Sequence, residues 1–123
     1  MPKSTAIGIV NAGEGFAMWF YFPRGGINFG EVVISALQRL VADGFRDAAS
    51  VLTRVIDEIA PRADPAAMSM GCDRPRGYHN TIVIDCARGV VRLRQFCVDW
   101  FSDDGRISPF VMQREWPIAA FAT

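Results

Sequence analysis

The fold is decided between residues 28 and 60, where the chain reads NFGEVVISALQRLVADGFRDAASVLTRVIDEIA. In its first half, apolar residues recur at the i, i+3, i+4 and i+7 positions that make one buried face of a helix. They are Phe29, Val32, Val33, Ala36, Leu37, Leu40 and Val41. Asn28 is the predicted N-cap, Glu31 completes a capping box, and Gly44 is suited to end the helix in a left-handed conformation. These features predict a first amphipathic helix.

A second apolar stripe follows within residues 46–60 and predicts a second helix. It is formed by Ala48, Val51, Leu52, Val55, Ile56 and Ile59. Pro61 ends this helix, because proline disfavours the helical conformation of the residue before it. Most charged residues lie off the two stripes: Asp43, Arg46, Asp47, Arg54, Asp57 and Glu58. Residues 28–60 thus predict an αα-hairpin with one solvated side, whose apolar side must pack against the flanking strands.

Residues 5–22 are typical of a β-hairpin, with strands at 5–11 and 16–22 around a glycine-containing turn. The second strand is apolar on both faces. One face carries Phe16, Met18, Phe20 and Phe22, and the other carries Ala17, Trp19 and Tyr21. The helices can cover one face, and a second copy of the chain is the expected cover for the other, since a bare apolar face would aggregate. This pattern favours a homodimer.

Residues 81–116 indicate a three-stranded antiparallel meander with strands at 81–86, 90–101 and 106–116. Turns are predicted at residues 87–89 and at the Asp104-Gly105 pair. The apolar tail after Pro117 is expected to dock on the domain. Together with the two hairpins, these strands predict one α+β domain over residues 1–123, with the helices packed on one face of an antiparallel sheet.

The composition argues against several classes of protein. Hydrophobic residues make up 50% of the 123 and charged residues 21%, with a formal net charge of zero. A neutral chain lacks the basic excess that gives a strong general affinity for nucleic acid or anionic membranes. No apolar run approaches the roughly 20 residues of a membrane span, and the N-terminus shows no secretory signal. Three scattered cysteines fit reduced thiols, so a cytoplasmic protein is expected.

Residues 61–80, PRADPAAMSMGCDRPRGYHN, contain three prolines and two glycines and show no periodicity. Loops of this length are uncommon inside compact domains and are often functional. Cys72, His79 and an orienting carboxylate, Asp73 or Asp85, are the residue types that a catalytic thiol site needs. Cys72 lies in no local signature of known cysteine enzymes, and a lone histidine at the start of a strand is more often structural. These residues are candidates for catalysis that no motif supports.

No metal or cofactor site is predicted. The residues Cys72, His79, Cys86 and Cys97 lack any Cys-x-x-Cys or His-x-x-x-His pair, the close spacing that holds two ligands on one metal. Cys86 and Cys97 fall in predicted strands and are expected to be small core residues. No P-loop or dinucleotide-binding motif is present.

A basic cluster is the main candidate for a binding surface. Between residues 74 and 94 there is one acid, Asp85, against five arginines: Arg74, Arg76, Arg88, Arg92 and Arg94. Arg92 and Arg94 alternate with apolar residues and so share a strand face with Trp100. Such a face can bind a protein partner, for which arginine and tryptophan are typical anchors. It can also bind single-stranded nucleic acid, or simply be the solvated end of a strand.

We therefore predict a non-catalytic protein–protein interaction module, such as a small cytoplasmic inhibitor, an immunity-type protein or an adaptor. It would act by steric occlusion of its partner. The predicted partner-binding residues are Arg74, Arg76, Tyr78, Arg92, Arg94 and Trp100. The alternative is a small-molecule-binding protein or enzyme with a Cys72/His79 site under the 61–80 loop. Single-stranded nucleic-acid binding through the arginine and aromatic face is the third reading.

Overall fold

The structure, a computed structural model, describes residues 4–25, 27–44, 47–99 and 108–121. The strands in those ranges are β1 (Thr5–Asn11), β2 (Phe16–Phe22), β3 (Ser69–Gly71), β4 (Asn80–Asp85), β5 (Val90–Asp99) and β6 (Ser108–Pro117). The helices are α1 (Phe29–Asp43) and α2 (Ala48–Ile59). Neither helix is long and apolar enough to cross a lipid bilayer. The fold is therefore α+β, as predicted.

The strands form a six-stranded sheet in the order β3-β2-β1-β4-β5-β6. The β1–β2 hairpin and the β4–β5–β6 meander are antiparallel, as expected. However, β1 and β4 pair in parallel, with Ile7 opposite Ile82, so the prediction of an antiparallel sheet is wrong and the sheet is mixed. A parallel pair needs a long crossover connection, and β2, both helices and β3 together form it here.

The stretch 61–80 contains regular structure that its sequence does not reveal. Residues Pro65–Ala67 form a 3-10 turn, capped by Asp64, whose carboxylate accepts from the Ala66 N–H at 3.0 Å. Strand β3 then pairs with β2, placing Met70 opposite Phe20. A three-residue strand is too short to show a two-residue period, so the prediction of one uninterrupted loop is corrected.

The helix ends follow the local signals in the sequence. The side chain of Asn28 accepts from the Glu31 N–H at 3.1 Å and caps α1. Gly44 closes that helix with a φ of 77°, in the left-handed region that glycine tolerates. Asp47 caps α2 by accepting from the Ser50 N–H at 3.1 Å. The predicted αα-hairpin is thus confirmed, with α2 beginning at Ala48.

The hydrophobic core lies between the two helices and one face of the sheet. Its largest buried contributions from β1 and β2 are Ile7, Ile9 and Phe20, and the helices contribute Leu37 and Val55 among others. The chain after β6 also docks there, because Ile118 is only 2% exposed and its N–H donates to the Gly89 carbonyl at 2.8 Å. Burial of this apolar surface is the main stabilising contribution to the fold.

One charged residue departs from the predicted solvated side of the helices. Glu58 is 5% exposed, and its carboxylate accepts from Arg62 Nη1 at 2.7 Å. The same carboxylate lies 3.4 Å from Arg39 Nε of α1. Arg54 of α2 also pairs with Asp43 of α1 at 2.6 Å. The two helices are therefore joined by ion pairs as well as by their apolar stripes.

The β2, β1 and β4 part of the second sheet face is covered from within the chain. Trp19 lies across Gly8 and is 4% exposed. Beside it, Tyr78 from the long connection packs against the cluster of Ala6, Trp19 and Val83. This aromatic face therefore does not require a second copy of the chain as its cover. The homodimer stays a prediction without that support.

Candidate functional site

Residues of the second sheet face form rows that run across five strands. Partners directly opposite one another in a sheet share a face, so the pairing register defines each row. From β2 to β6, one row is Tyr21, Ala6, Thr81, Arg94 and Gln113. The next row is Trp19, Gly8, Val83, Arg92 and Glu115. The face therefore changes from aromatic on β2, through small residues in the centre, to arginine on β5.

The segment 72–78 passes over the first of these rows. The hydroxyl of Tyr21 donates to the carbonyl oxygen of Asp73. The rings of Tyr21 and Tyr78 are 6.1 Å apart between centroids, with planes inclined by 46°. Both contacts are made by Tyr21, at the aromatic end of the row. They hold the intervening arginines of the segment close to the sheet.

Tyr21 is a donor at neutral pH. Desolvation raises the pKa of its hydroxyl above the ordinary value, and the charge of Asp73 raises it further. A tyrosine with a raised pKa keeps its proton in the physiological range. The hydrogen bond that fastens the segment at Asp73 is therefore insensitive to pH near neutrality.

The segment and the sheet enclose a cleft of about 870 Å³. It is lined by Asp73, Arg74, Pro75, Arg76, Gly77, Tyr78, Thr81 and Arg94. Four of the six predicted partner-binding residues, Arg74, Arg76, Tyr78 and Arg94, are thus brought together. Trp100 lies outside the described residues.

Arg92 lies in an adjoining cleft of about 400 Å³. This second cleft shares Arg74, Thr81 and Arg94 with the first and also includes Glu115. Sequence reasoning missed Thr81 as a lining residue. Thr81 shares a face of β4 with Val83, which places it on the outer face of the sheet. Only the pairing with β5 shows that it lies opposite Arg94.

The arginines of the two clefts differ in how far acidic side chains balance their charge. Arg92 Nη1 lies 3.1 Å from a carboxylate oxygen of Asp85, which is 8% exposed and also accepts from the Arg88 N–H at 3.1 Å. Among the described residues, Arg74, Arg76 and Arg94 form no ion pair. Among the described residues that line the larger cleft, Asp73 is the one acid that opposes their charge. The site therefore carries an excess of positive charge on a protein with no net charge.

The candidate thiol site has a different arrangement. His79 Nδ1 lies 2.9 Å from Ser4 Oγ, which also accepts from the His79 backbone N–H at 3.0 Å. Cys72 is exposed. Within the described ranges no hydrogen bond joins Cys72 to His79, and neither residue lines the 870 Å³ cleft, whereas Asp73 does. His79 fastens the start of β4 to the chain before β1.

Cys86 is half-buried against the core. Burial, together with the negative charges of Asp85, Glu14 and Asp47, raises the pKa of its thiol to about 11. The side chain of Cys97 lies outside the described residues. In the part of the chain that the structure describes, no three side chains of His, Cys, Asp or Glu are grouped as they would be around a metal ion.

An apolar cavity of about 390 Å³ lies between α1 and the β4–β6 part of the sheet. It is lined by Phe29, Gly30, Val33, Ile34, Ile82, Val91, Leu93, Trp116, Ala120 and Phe121. The alternative prediction places a small-molecule pocket between sheet and helices, under the 61–80 loop. No residue of that loop lines this cavity, and neither Cys72 nor His79 reaches it.

Comparisons with known proteins add no family relationship. The chain matches no protein-family model, no curated protein sequence and no solved structure. The function is therefore inferred from the geometry of the clefts.

Proposed function

We propose that this protein is a non-catalytic protein–protein interaction module that binds its partner through the arginine-lined clefts. The observation that carries the proposal is the convergence of Arg74, Arg76, Tyr78 and Arg94 on one cleft, with Arg92 beside it. Arginine and tyrosine are the side chains that most often act as binding hot spots. Three of these arginines form no ion pair within the described residues, so their donors are available to a partner.

The segment 72–78 is held in place before any partner arrives. The Tyr21–Asp73 hydrogen bond and the Tyr21–Tyr78 ring contact fix it against the sheet. A surface that is already ordered loses less conformational entropy on binding, which leaves more of the contact energy as affinity. This pre-organisation favours a binding role for the segment.

The proposed mechanism is steric. A segment of the partner enters the cleft, and the 72–78 segment and the β5–β6 surface then block access to the partner's working site. This is the mode of action that we propose for an inhibitor, an immunity-type protein or an adaptor, and a cytoplasmic location fits the reduced cysteines expected from the sequence. No residue of this chain has to change its protonation or form a covalent bond.

Affinity capture from an extract of the source cells tests the proposal. The baits are the wild-type chain, a variant with Arg74→Ala and Arg94→Ala, and a control with Arg88→Ala. Arg88 is exposed, belongs to the same basic cluster in the sequence and lines neither cleft. We expect a protein that the wild type and the control retain and the double variant loses. Circular dichroism and thermal unfolding must first show that all three baits are folded.

The captured partner is then purified, and its affinity is measured. A true hot spot loses at least about 2 kcal/mol on truncation to alanine, which is roughly a 30-fold weaker Kd. Equal retention by the wild type and the double variant would mean that the clefts are not the binding surface. Equally, full binding by a variant changed at Arg92, Arg94 and Trp100 together would show that the β5 face takes no part.

A further inference from the structure

The clefts have a shape that a small ion would not fill. The 870 Å³ and 400 Å³ spaces adjoin, because Arg74, Thr81 and Arg94 line both, and together we call them the depression. Its floor extends from β4 to β6, which is two strand spacings or about 10 Å. Along each strand it extends over two residues on the same face, a further distance of about 7 Å. Those dimensions suit a short piece of extended polypeptide.

Two of the positive charges in the depression have a spacing that their strand defines. Arg92 and Arg94 are two residues apart on one face of β5, so their α-carbons are about 7 Å apart. The arginines of the 72–78 segment, Arg74 and Arg76, have the same separation in sequence. An extended peptide repeats its own side chains on one face at this distance of about 7 Å. Acidic residues at alternate positions would therefore meet successive arginines.

Each of these arginines can bind a carboxylate in this arrangement. The guanidinium group has five N–H donors in a planar fork that binds a carboxylate in a bidentate manner. Arg94 uses none of its donors on another described side chain, and Arg92 uses Nη1 on Asp85 and keeps others. Charge-assisted bonds of this type are about twice as strong as neutral ones.

We propose, resting on the function proposed above, that the partner segment in this depression is an extended acidic peptide with carboxylates at alternate positions. Carboxylates at alternate positions pair with Arg92 and Arg94. Arg74 supplies further donors where the two clefts meet, and Tyr78 lies beside the peptide backbone.

The acids Asp73 and Glu115 border the same space. A peptide with acids only at alternate positions can place uncharged residues beside them, whereas every nucleotide of a nucleic acid carries a phosphate that they repel. Among the described lining residues Tyr78 is also the one aromatic residue, whereas single-stranded nucleic acid stacks on several rings. The observations therefore favour a peptide over nucleic acid.

Fluorescence anisotropy with labelled peptides tests this inference directly. The probes are Glu-Ser-Glu-Ser-Glu-Ser and Ser-Ser-Ser-Glu-Glu-Glu, which have equal composition and charge. We expect the alternating peptide to bind the full-length protein about fivefold or more tightly than the block peptide, since only its carboxylates match the arginine spacing. Arg94→Gln or Arg74→Gln should weaken its binding about tenfold, and the control Arg88→Gln should change it by less than about twofold.

Several outcomes would overturn the inference. Equal binding of the two peptides, or equal losses in Arg94→Gln and Arg88→Gln, would show only a general attraction of charge. Tighter binding of single-stranded oligo-dT, with affinity falling steeply as salt rises, would assign the surface to nucleic acid. A captured partner that depends on Arg74 and Arg94, combined with no binding of either peptide, would overturn this inference and leave the proposed function standing. Peptide binding without any captured partner would count against the proposed function alone.

Discussion

The ring of Trp19 lies directly over Gly8, its opposite neighbour in the β1–β2 ladder. A β-carbon added at Gly8 would come within 2.5 Å of Trp19 Cζ3 and 2.6 Å of Cε3. Only glycine leaves room for the indole there, and the indole in turn is 4% exposed. This contact seals the centre of the second sheet face, next to the arginine-lined clefts.

Gly8→Ala is therefore expected to destabilise the protein by about 1–3 kcal/mol, the usual effect of overpacking a closely packed site. The clash is with a buried ring rather than with the end of a flexible side chain, so the indole or the strand must move. Urea denaturation, monitored by far-UV circular dichroism, measures the difference in the free energy of unfolding between the wild type and the variant. Gly13→Ala is the matched control, because its β-carbon would approach nothing closer than Asn11 Oδ1 at 3.4 Å. Equal stability of the two variants would contradict the tight contact.

Glu58→Gln should destabilise the protein by about 1–2 kcal/mol. The substitution keeps the shape of the side chain but removes the charge that Arg62 Nη1 contacts at 2.7 Å and Arg39 Nε at 3.4 Å. The effect is limited because the Arg39 side chain is 60% exposed and screened by solvent. Asp57→Asn is the control, since Asp57 is exposed and adjacent. If Glu58→Gln and Asp57→Asn lower the free energy of unfolding equally, the buried carboxylate of Glu58 does not join the helices.

The helices could be read from the sequence because their signals are local. The Asn28 cap, the Gly44 closure and the alternating residues of β2 each depend on neighbours a few positions away. The parallel β1–β4 pairing could not be read, since it joins residues about 75 positions apart through a crossover that has no motif. The burial of Glu58 was missed for a related reason. Helical periodicity places Glu58 beside the apolar stripe. It does not reveal that Arg39 and Arg62 compensate the charge of this carboxylate once it is buried.

The candidate site also combines features that depend on local sequence with features that depend on long-range contacts. Alternation in β5 was enough to place Arg92 and Arg94 on one face. What the sequence could not show is that the 72–78 segment is fastened over that face by Tyr21, whose partner Asp73 is 52 residues away. The pairing of His79 with Ser4 is equally non-local. Residue types therefore indicated which arginines lie together, whereas the shape of their clefts depended on long-range contacts.

Asp47→Asn should make stability less dependent on acid pH. Hydrogen bonds from the Ser50 side chain and backbone lower the pKa of the Asp47 carboxyl in the folded state. A group with a lowered folded pKa stabilises the fold above its unfolded pKa of about 4, and this contribution is lost as the pH falls through the folded value. Asparagine is also a good N-cap but does not titrate. Urea midpoints between neutral and acid pH should therefore fall less in Asp47→Asn than in wild type, whereas Asp57→Asn should behave as wild type.

Cys86 is expected to resist alkylation. With a pKa of about 11, its thiolate fraction at pH 8 is roughly 100-fold below that of a thiol with the ordinary value of 9.0. Cys72 is exposed and should react first with iodoacetamide. Peptide mass spectrometry at successive times gives the rate at each position, and the protein unfolded in guanidinium is the control in which both react. Equal rates in the folded protein would contradict the half-buried position of Cys86.

Tyr21→Phe should loosen the 72–78 segment without unfolding the sheet. The substitution keeps the ring beside Tyr78 and removes only the hydroxyl that donates to the Asp73 carbonyl. Amide hydrogen exchange of residues 73–78 should accelerate severalfold, because opening the segment no longer breaks this bond. Tyr78→Phe is the control for exchange, since no described residue bonds to its hydroxyl. If the cleft binds its ligand as a pre-organised surface, Tyr21→Phe should also weaken the alternating glutamate peptide, mainly through faster dissociation. Faster exchange with unchanged peptide affinity would mean that Arg94 and the sheet, and not the ordered segment, determine binding.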